Sequence, residues 1–171
     1  MAAHVTLHPL QPADGLAISA WFASQEADHR VGSWRPGDCS KVMPVGAGRC
    51  MEWAGRNHLG ECVVYLAAAS VPPIADEFIA GGIQSVEGRD AVAIKYLVPQ
   101  HLQGLGYATA ALRAAATVLT WHDTDLFCHI ASDHSASQAV AVAAGFEFVG
   151  ATRYRARKNH PRYMWHYRLQ R

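Results

Sequence analysis

Apolar and polar residues alternate over residues 4–10, and runs rich in strand-favouring residues follow in the first half of the chain; both patterns predict β-strands. The predicted strands of this half cover residues 4–10, 61–68, 78–86 and 91–98. Residues 87–90, between the last two, are typical of a hairpin turn. Apolar residues at helical spacing predict a helix over residues 14–26 that is capped by Asp14 and buries Trp21. A short second helix is expected around residues 51–54.

Helices and strands alternate in the second half. Pro99 ends the strand at residues 91–98, and a loop with two glycines leads into an alanine-rich segment, residues 108–120, which is predicted to be a helix. A strand, a short helix and two more strands are predicted at residues 126–130, 135–144, 146–155 and 163–169. The helical crossover should make the strands on either side of it parallel. We therefore predict one α/β (α+β) domain over residues 1–171, with a mixed sheet flanked by helices.

Composition and charge are those of an ordinary globular protein, with 50% hydrophobic and 17% charged residues. Residues 1–150 hold eight Lys/Arg against fourteen Asp/Glu, a balance of −6, whereas residues 151–171 hold seven Lys/Arg and no acid. Arg153, Arg155 and Arg157 fall on one face of a strand, which is typical of a solvated face. Contact with an acidic substrate or a cofactor phosphate is an alternative, and the lack of interleaved aromatic residues disfavours nucleic acid.

The spacing of the cysteines and histidines limits the kinds of site that the chain is expected to hold. The four cysteines form no C-x-x-C pair and none of the ten histidines lies in an H-E-x-x-H pattern, so free thiols and no metal site are expected. The N-terminus lacks a basic region followed by a long apolar core, and no stretch approaches the roughly 18 apolar residues of a membrane span. A cytoplasmic protein that binds no membrane is expected, as a monomer or a homodimer.

The loop after Pro99 is the strongest candidate for a binding site. The first turn of a helix presents unpaired backbone N–H groups and the positive end of the helix dipole, which together favour phosphate. Gly104 and Gly106 permit special backbone dihedrals and the close approach of a ligand. A dinucleotide-binding fingerprint does not fit, because Thr109 stands where a third small residue is needed, and no Gly-Lys-Ser/Thr sequence forms a P-loop. The hypothesis is a phosphate-bearing cofactor held by backbone amides.

Two motifs resemble those of the GNAT superfamily of acyl-CoA N-acyltransferases. The first, similar to the pyrophosphate loop Gln/Arg-x-x-Gly-x-Gly/Ala, is Gln103-Gly104-Leu105-Gly106-Tyr107-Ala108. The second resembles Asn-x-x-Ser-x-x-Val-x-x-x-x-Gly-Phe in the branch that includes the ribosomal-protein N-terminal alanine acetyltransferases, and it runs from His134 through Ser137 and Val140 to Gly145-Phe146. His134 stands where the family has Asn.

The resemblance implies a mostly antiparallel sheet whose parallel central strands splay apart. The pantetheine of acetyl-CoA would lie in that wedge, the loop amides would bind the pyrophosphate, and a backbone N–H near Val98 would polarise the thioester carbonyl. The residues implied in cofactor binding are Leu97, Val98, Gln103, Gly104, Leu105, Gly106, Tyr107, Ala108, Thr109, His134 and Ser137.

Acyl transfer to an amine needs a base and a proton donor for the leaving thiolate. Many members of the family carry a donor Tyr where this chain has Ala141, so Ser137 is the substitute candidate. Candidate bases are Glu87, Glu77 and His129, with a water relay as an alternative. The expected function is N-acetylation of a primary amine, in a small molecule or at a peptide N-terminus, by direct transfer in a ternary complex. The alternative is a non-catalytic acyl-CoA-binding sensor or interaction domain.

Overall fold

The structure is a computed structural model that describes residues 3–25, 50–71, 91–119, 125–155 and 161–169. Within them the chain forms a seven-stranded sheet, three α-helices and one 3₁₀ turn. In chain order these are β1 (Thr6–Pro9), α1 (Pro12–Ser24), β2 (Cys50–Arg56), β3 (Cys62–Val71), β4 (Ala91–Leu97), the 3₁₀ turn (Gln100–Leu102), α2 (Tyr107–Leu119), β5 (Asp125–Ala131), α3 (Ser135–Ala143), β6 (Phe146–Arg155) and β7 (Pro161–Leu169). The predicted strand at residues 78–86 and turn at 87–90 lie outside the described residues.

The strands follow the order β1-β2-β3-β4-β5-β7-β6. All neighbouring pairs are antiparallel except β4 and β5, which are parallel. The connection between these two strands contains α2, and a crossover of this kind brings the second strand back in the same direction as the first. The predicted fold class and the predicted parallel pair are therefore confirmed.

Helices cover both faces of the sheet. On one face Leu112 of α2 and Ala141 of α3 belong to the same buried cluster as Cys128 of β5. On the other face Phe22 of α1 packs edge-on against Tyr65 of β3, with ring centroids 5.7 Å apart. Because successive side chains of a strand point to opposite faces, β3 and β4 contribute residues to a buried cluster on each face. We refer to these as the α2/α3 face and the α1 face.

Helix α1 begins two residues earlier than predicted. Pro12 occupies its first turn, where the missing N–H of proline costs nothing. Asp14 therefore lies at the third helical position, and from there it caps the helix in a capping box with Gln11. Its carboxylate accepts a hydrogen bond from the backbone N–H of Gln11 at 3.1 Å and pairs with Arg56 of β2 at 2.6 Å. This ion pair joins the start of α1 to the sheet.

The buried face of α1 also differs from the prediction. Ile18 and Phe22, one turn apart, are fully buried, whereas Trp21 is only half-buried. Leu16, which the predicted apolar face included, is 80% exposed. The buried stripe is narrow because α1 meets the sheet along a single line of residues spaced four apart.

The helix predicted around residues 51–54 is wrong, because these residues belong to strand β2. Trp53 lies opposite Pro9 of β1 and Leu66 of β3. Met, Glu and Ala favour helices in isolation, and four residues are too few to reveal a period. Pairing with a strand on each side outweighs that weak local preference.

Cys62 and Cys128 are free thiols. Burial raises the pKa of Cys128 to about 12, and mainly burial, with a contribution from Asp14, raises that of Cys62 to about 11. Both thiols are therefore protonated at neutral pH. None of the helices in the described ranges is long and apolar enough to cross a membrane. Those ranges also hold no group of three or more potential metal ligands.

Candidate active site

The parallel pairing of β4 with β5 is short. It consists of three residue pairs, Ala91 with Asp125, Val92 with Leu126 and Ala93 with Phe127. Beyond them β4 continues to Leu97 against β3, and β5 continues to Ala131 against β7. The two strands thus separate and leave an opening, the wedge, between residues 94–97 and 128–131. Backbone groups along its two sides can pair with an extended ligand that carries amide groups.

The glycine loop joins the open end of β4 to α2. Gly104 and Gly106 have φ values of 78° and 84°, a conformation that favours glycine. Among the described residues, a Cβ placed on Gly104 would have no neighbour within 4 Å, and one on Gly106 would meet the Cβ of Ala3 at 3.4 Å. Helix α2 starts at Tyr107, so the N–H groups of its first turn have no partner within the helix. The exposed loop backbone and this helix terminus form a cradle suited to a phosphate group.

The side chain of Gln103 holds this loop in place. Its Nε2 donates to the carbonyl of Val98 at 3.3 Å and to Oε1 of Gln25 at 3.2 Å. Nε2 of Gln25, which follows α1, donates to the same Val98 carbonyl at 3.3 Å. The end of β4, the glycine loop and the end of α1 are thereby tied together. The role of Gln25 was missed from sequence, because it depends on a contact across 78 positions of the chain.

Tyr96 and Ser137 meet beside the wedge on the α2/α3 face. The phenol oxygen of Tyr96 lies 2.6 Å from Oγ of Ser137 and 3.2 Å from the Ser137 carbonyl oxygen, to which it donates. Burial raises the pKa of Tyr96 well above its usual value, although the hydrogen bond with Ser137 opposes this shift. The phenol therefore keeps its proton at neutral pH. When Tyr96 donates to Oγ of Ser137, the serine hydroxyl is left to donate elsewhere.

Sequence reasoning missed Tyr96 as a site residue. A signal existed, since a polar hydroxyl on a largely buried strand next to a ligand loop usually has a partner. Ala141, which stands where many members of the family have the donor Tyr, is fully buried in the core. Tyr96 of β4 brings a phenol hydroxyl to Ser137.

Backbone and side-chain hydrogen bonds fix the start of α3. The N–H of His134 donates to the carbonyl of Ala131 at 2.9 Å, and the carbonyl of His134 accepts from the N–H of Gln138 at 3.1 Å. The side chain of His134 does not cap the helix. Nε2 of Gln138 donates to the carbonyls of Ala131 and Ser132 at 3.1 and 3.0 Å. These contacts hold Ser137 at a set position relative to the end of β5.

His129 lies on the β5 side of the wedge, two residues beyond the last parallel pair. Its ring stacks on that of Phe127, and the alternation along β5 places both on the α1 face, opposite to Cys128. Nδ1 of His129 is 2.7 Å from Nδ1 of His166 on β7, and Nε2 of His166 is 2.8 Å from Oγ1 of Thr152 on β6. His166 and Thr152 were missed from sequence, because only the strand register brings them to His129.

Burial lowers the pKa of His129 to about 4. Burial, and then the neighbouring His129, lowers the pKa of His166 to about 4 as well. Both rings are therefore neutral at pH 7, and one of the two facing Nδ1 atoms carries the hydrogen of their shared bond. Which one carries it depends on the tautomers.

Charged groups also lie on the α1 face near the wedge. Lys95 stands two residues beyond the last parallel pair on β4, and its Nζ lies 5.7 Å from the centroid of the Phe22 ring. Glu52 lies on the same row of the sheet, since both residues pair with Ala67. Its Oε1 accepts a hydrogen bond of 2.5 Å from the hydroxyl of Tyr65. Glu52 was missed from sequence because its strand was predicted to be a helix.

The predicted site residues fall into three groups according to where the structure places them. Leu97 and Val98 are buried at the end of β4, and the loop residues from Gln103 to Thr109 follow directly, so these predicted cofactor contacts are contiguous in space. Ser137 and His129 approach the wedge from opposite faces. The other candidate bases, Glu87 and Glu77, and the basic residue Arg157 lie outside the described residues, whereas Arg153 is exposed on β6.

Comparison with known proteins gives a match to a family described as Acetyltransferase (GNAT) domain, over residues 4–147. No curated protein sequence matches the chain significantly. Among solved structures, Mycobacterium smegmatis RimJ in complex with CoA-disulfide superposes with a TM-score of 0.71 and 18% identity, covering 99% of this chain and 85% of that one. The aminoglycoside acetyltransferase AAC(6')-Ib in complex with paromomycin and acetyl-CoA gives a TM-score of 0.69 at 16% identity, with coverage of 95% and 92%.

A third similar structure is the spermidine N-acetyltransferase from Vibrio cholerae in complex with CoA and spermine. Its TM-score is 0.68 at 12% identity, covering 97% of this chain and 95% of that one. At such low identities these likenesses establish the fold.

The two neutral histidines predict that stability falls on acidification. An unfolded histidine takes up a proton near pH 6.5, whereas His129 and His166 resist protonation in the folded protein until about pH 4. The unfolded state therefore binds more protons in this window, so the free energy of unfolding decreases as pH falls from 6.5 towards 4. Urea denaturation at about pH 7.5 and about pH 5 should show a smaller decrease for His166→Phe than for the wild type.

His58→Phe, at an exposed position in the turn between β2 and β3, is the matched control and should retain the full decrease. An equal decrease in His166→Phe and the wild type would contradict this account of the two histidines.

Proposed function

Because the chain belongs to the GNAT acetyltransferase family, whose domain description matches residues 4–147, it is an enzyme that uses acetyl-CoA, and we propose that its acceptor is a primary amine of a small molecule or of a peptide N-terminus. Acetyl-CoA supplies an acetyl group activated as a thioester. The observation that carries the proposal is the wedge, which opens after three residue pairs and leads directly into the glycine loop. A hydroxyl pair and a neutral histidine approach it from opposite faces.

The proposed binding site for acetyl-CoA follows β4 into α2. The positive φ values of Gly104 and Gly106, and the space above them, support binding of the pyrophosphate by loop amides. The open side of β4 supports a path for the pantetheine along the wedge. The proposed contacts are Leu97, Val98, Gln103, Gly104, Leu105, Gly106, Tyr107, Ala108, Thr109, His134 and Ser137.

His129 is the proposed general base. A base must be unprotonated at the working pH, and burial lowers the pKa of His129 to about 4, so its ring is neutral there. Because Nδ1 faces His166, the proposal places uptake of the amine proton at Nε2, on the other side of the ring. Glu87 and Glu77 are the alternative bases. A carboxylate on the α1 face, Glu52, supports approach of a cationic amine from that side.

Ser137 is the proposed proton donor to the leaving thiolate. Its hydroxyl is held by the phenol of Tyr96 at 2.6 Å, and the raised pKa of Tyr96 keeps that phenol protonated. The proposal requires the Tyr96 hydroxyl to donate to Oγ of Ser137 in the reacting complex, which leaves the hydrogen of Ser137 to be directed to the sulfur. Ser137 and His129 act on the same acetyl transfer from the two faces of the sheet.

Two observations support an amine acceptor. The structures of similar fold carry paromomycin or spermine, both of which present primary amines. The second motif, from His134 to Phe146, resembles that of the ribosomal-protein N-terminal alanine acetyltransferases, and RimJ is among the similar structures. Polyamines, aminoglycosides and alanine-initiated peptides are therefore the acceptors to examine first.

Catalysis is tested by release of free thiol from acetyl-CoA in the presence of spermine, paromomycin or a peptide that begins with alanine. We expect at least one of these amines to raise thiol release well above the rate without amine, with the acetylated product found by mass spectrometry. Binding of acetyl-CoA in calorimetry without thiol release for any amine would instead favour a non-catalytic acyl-CoA-binding module.

The loop assignment is tested by Gly106→Trp. A tryptophan at this position fills the space over the amides and forces a side chain into a positive φ, which costs about 1–3 kcal/mol. Binding of CoA in isothermal titration calorimetry should be lost. Gly60→Trp, at a φ of 80° in the turn between β2 and β3, imposes the same backbone strain away from the site and should bind CoA like the wild type. Unchanged affinity in Gly106→Trp would overturn the loop assignment.

The donor assignment is tested by Ser137→Ala. We expect kcat with the best amine to fall on the order of 10²-fold, as for removal of a general acid, while the KM for acetyl-CoA changes little. Tyr96→Phe should lower kcat by a smaller factor, because the serine remains but loses its orienting partner. Ser135→Ala, at an exposed position in the same helical turn, is the control. A wild-type kcat in Ser137→Ala would remove Ser137 from the reaction.

A further inference from the structure

Three hydrogen-bonding side chains form a line across strands β5, β7 and β6. Nδ1 of His129 lies 2.7 Å from Nδ1 of His166, and Nε2 of His166 lies 2.8 Å from Oγ1 of Thr152. His166, in the middle, is fully buried. His129 at the wedge end and Thr152 at the β6 end are each partly exposed. The line therefore runs from the wedge through a fully buried residue to a partly exposed one on β6.

The hydrogens of this line have two self-consistent arrangements. In the first, Nδ1–H of His129 donates to His166, and Nε2–H of His166 donates to Thr152. In the second, the Thr152 hydroxyl donates to Nε2 of His166, and Nδ1–H of His166 donates to His129. Each arrangement contains one Nδ1–H and one Nε2–H ring, and both rings are neutral, so the two have the same chemical composition and differ only in the positions of hydrogens.

We propose that His129, His166 and Thr152 form a proton relay that removes the proton of the acceptor amine from the wedge, a role that rests on the proposed function of His129 as the base. His166 and Thr152 touch no substrate in this proposal and act through His129. They are relay and positioning residues, not catalytic ones.

The relay converts the first arrangement into the second. As an N–H bond of the amine breaks, an N–H bond forms at Nε2 of His129, and the nitrogen lone pair of the amine forms the new bond to the acetyl carbon. His129 gives its Nδ1 hydrogen to Nδ1 of His166. His166 gives its Nε2 hydrogen to Thr152, whose own hydroxyl hydrogen passes to water. The leaving thiolate takes the hydrogen of Ser137. In the reverse shift Thr152 takes a proton from water, and His129 releases its Nε2 hydrogen to the wedge, where it restores the Ser137 hydroxyl.

A relay avoids the buried positive charge that would form on a single histidine acting as the base. Burial opposes charge on either ring, and both pKa values are lowered to about 4, so an imidazolium at His129 would be unfavourable at neutral pH. In the relay each ring gains one proton as it loses another, and neither has to store the charge. The strand register supports this, since His129 and His166 are directly paired residues of β5 and β7.

Thr152→Val tests the relay in the full-length protein, because valine keeps the shape of threonine and removes the hydroxyl. With the most reactive amine of the panel, kcat should fall roughly ten-fold, the lower end of the effect seen when the partner of a functional imidazole is removed. The KM for acetyl-CoA should be unchanged. Thr152→Ser, which restores the hydroxyl, should recover kcat. Thr117→Val, the same substitution at an exposed position of α2, is the control.

If Thr152 had only a structural role, Thr152→Val would not change the number of protons that move together in the reaction. In mixtures of H₂O and D₂O, the rate of the wild type should vary non-linearly with the deuterium fraction, because several protons move together. The rate of Thr152→Val should vary linearly with that fraction. In the protein alone, ¹⁵N shifts of the His129 ring should report a mixture of both tautomers, and Thr152→Val should alter that mixture. Wild-type kcat together with an unaltered solvent isotope profile in Thr152→Val would overturn the relay.

Failure of the relay is distinguishable from failure of the proposed function. If His129→Ala lowers kcat and Thr152→Val does not, His129 remains the base and the relay is wrong. If His129→Ala leaves kcat unchanged, both the base assignment and the relay are wrong. If no amine is acetylated, a single unperturbed tautomer of His129 in the ¹⁵N spectra still overturns the relay.

Discussion

The short parallel pairing between β4 and β5 is the constraint on which the rest of the site depends. Three residue pairs hold the strands together, and each strand then follows a different antiparallel partner. The separated strands present backbone donors and acceptors that require partners, and an extended ligand with amide groups can supply them. The glycine loop and the start of α2 lie at the end of this opening, so a ligand in the wedge is directed towards the phosphate cradle.

The sheet also divides the chemistry between its two faces. Ser137 and Tyr96 lie on the α2/α3 face, and His129 with its partners lies on the α1 face. Burial acts on the two sets in opposite directions, because it disfavours whichever form is charged. It raises the pKa of Tyr96 and lowers that of His129, so that the phenol keeps its proton while the imidazole stays neutral, with one of its two nitrogens unprotonated. Burial thus leaves a protonated phenol on one face and a neutral imidazole on the other.

Side-chain amides position these groups. Gln103 and Gln25 bind the carbonyl of Val98, which follows β4, and Gln138 binds the carbonyls of Ala131, which ends β5, and of Ser132 after it. Each amide satisfies backbone carbonyls at the edge of the opening, where sheet pairing no longer does so. The two sides of the wedge are therefore held apart by hydrogen bonds to the elements behind them, α1 on one side and α3 on the other.

The sequence by itself determined the parts of the site that depend on neighbouring residues. Proline after a strand, two glycines and an alanine-rich helix are local signals, and they predicted the loop from Gln103 to Ala108 and the parallel crossover. The sequence predicted a helix at residues 51–54, but pairing with a strand on each side outweighs their weak helix preference. Tertiary structure alone decided the contacts of Tyr96 with Ser137 and of His129 with His166, which join positions 41 and 37 residues apart. Such contacts depend on strand register and helix placement, which are set by packing of the whole core and have no signature in any short segment of the chain.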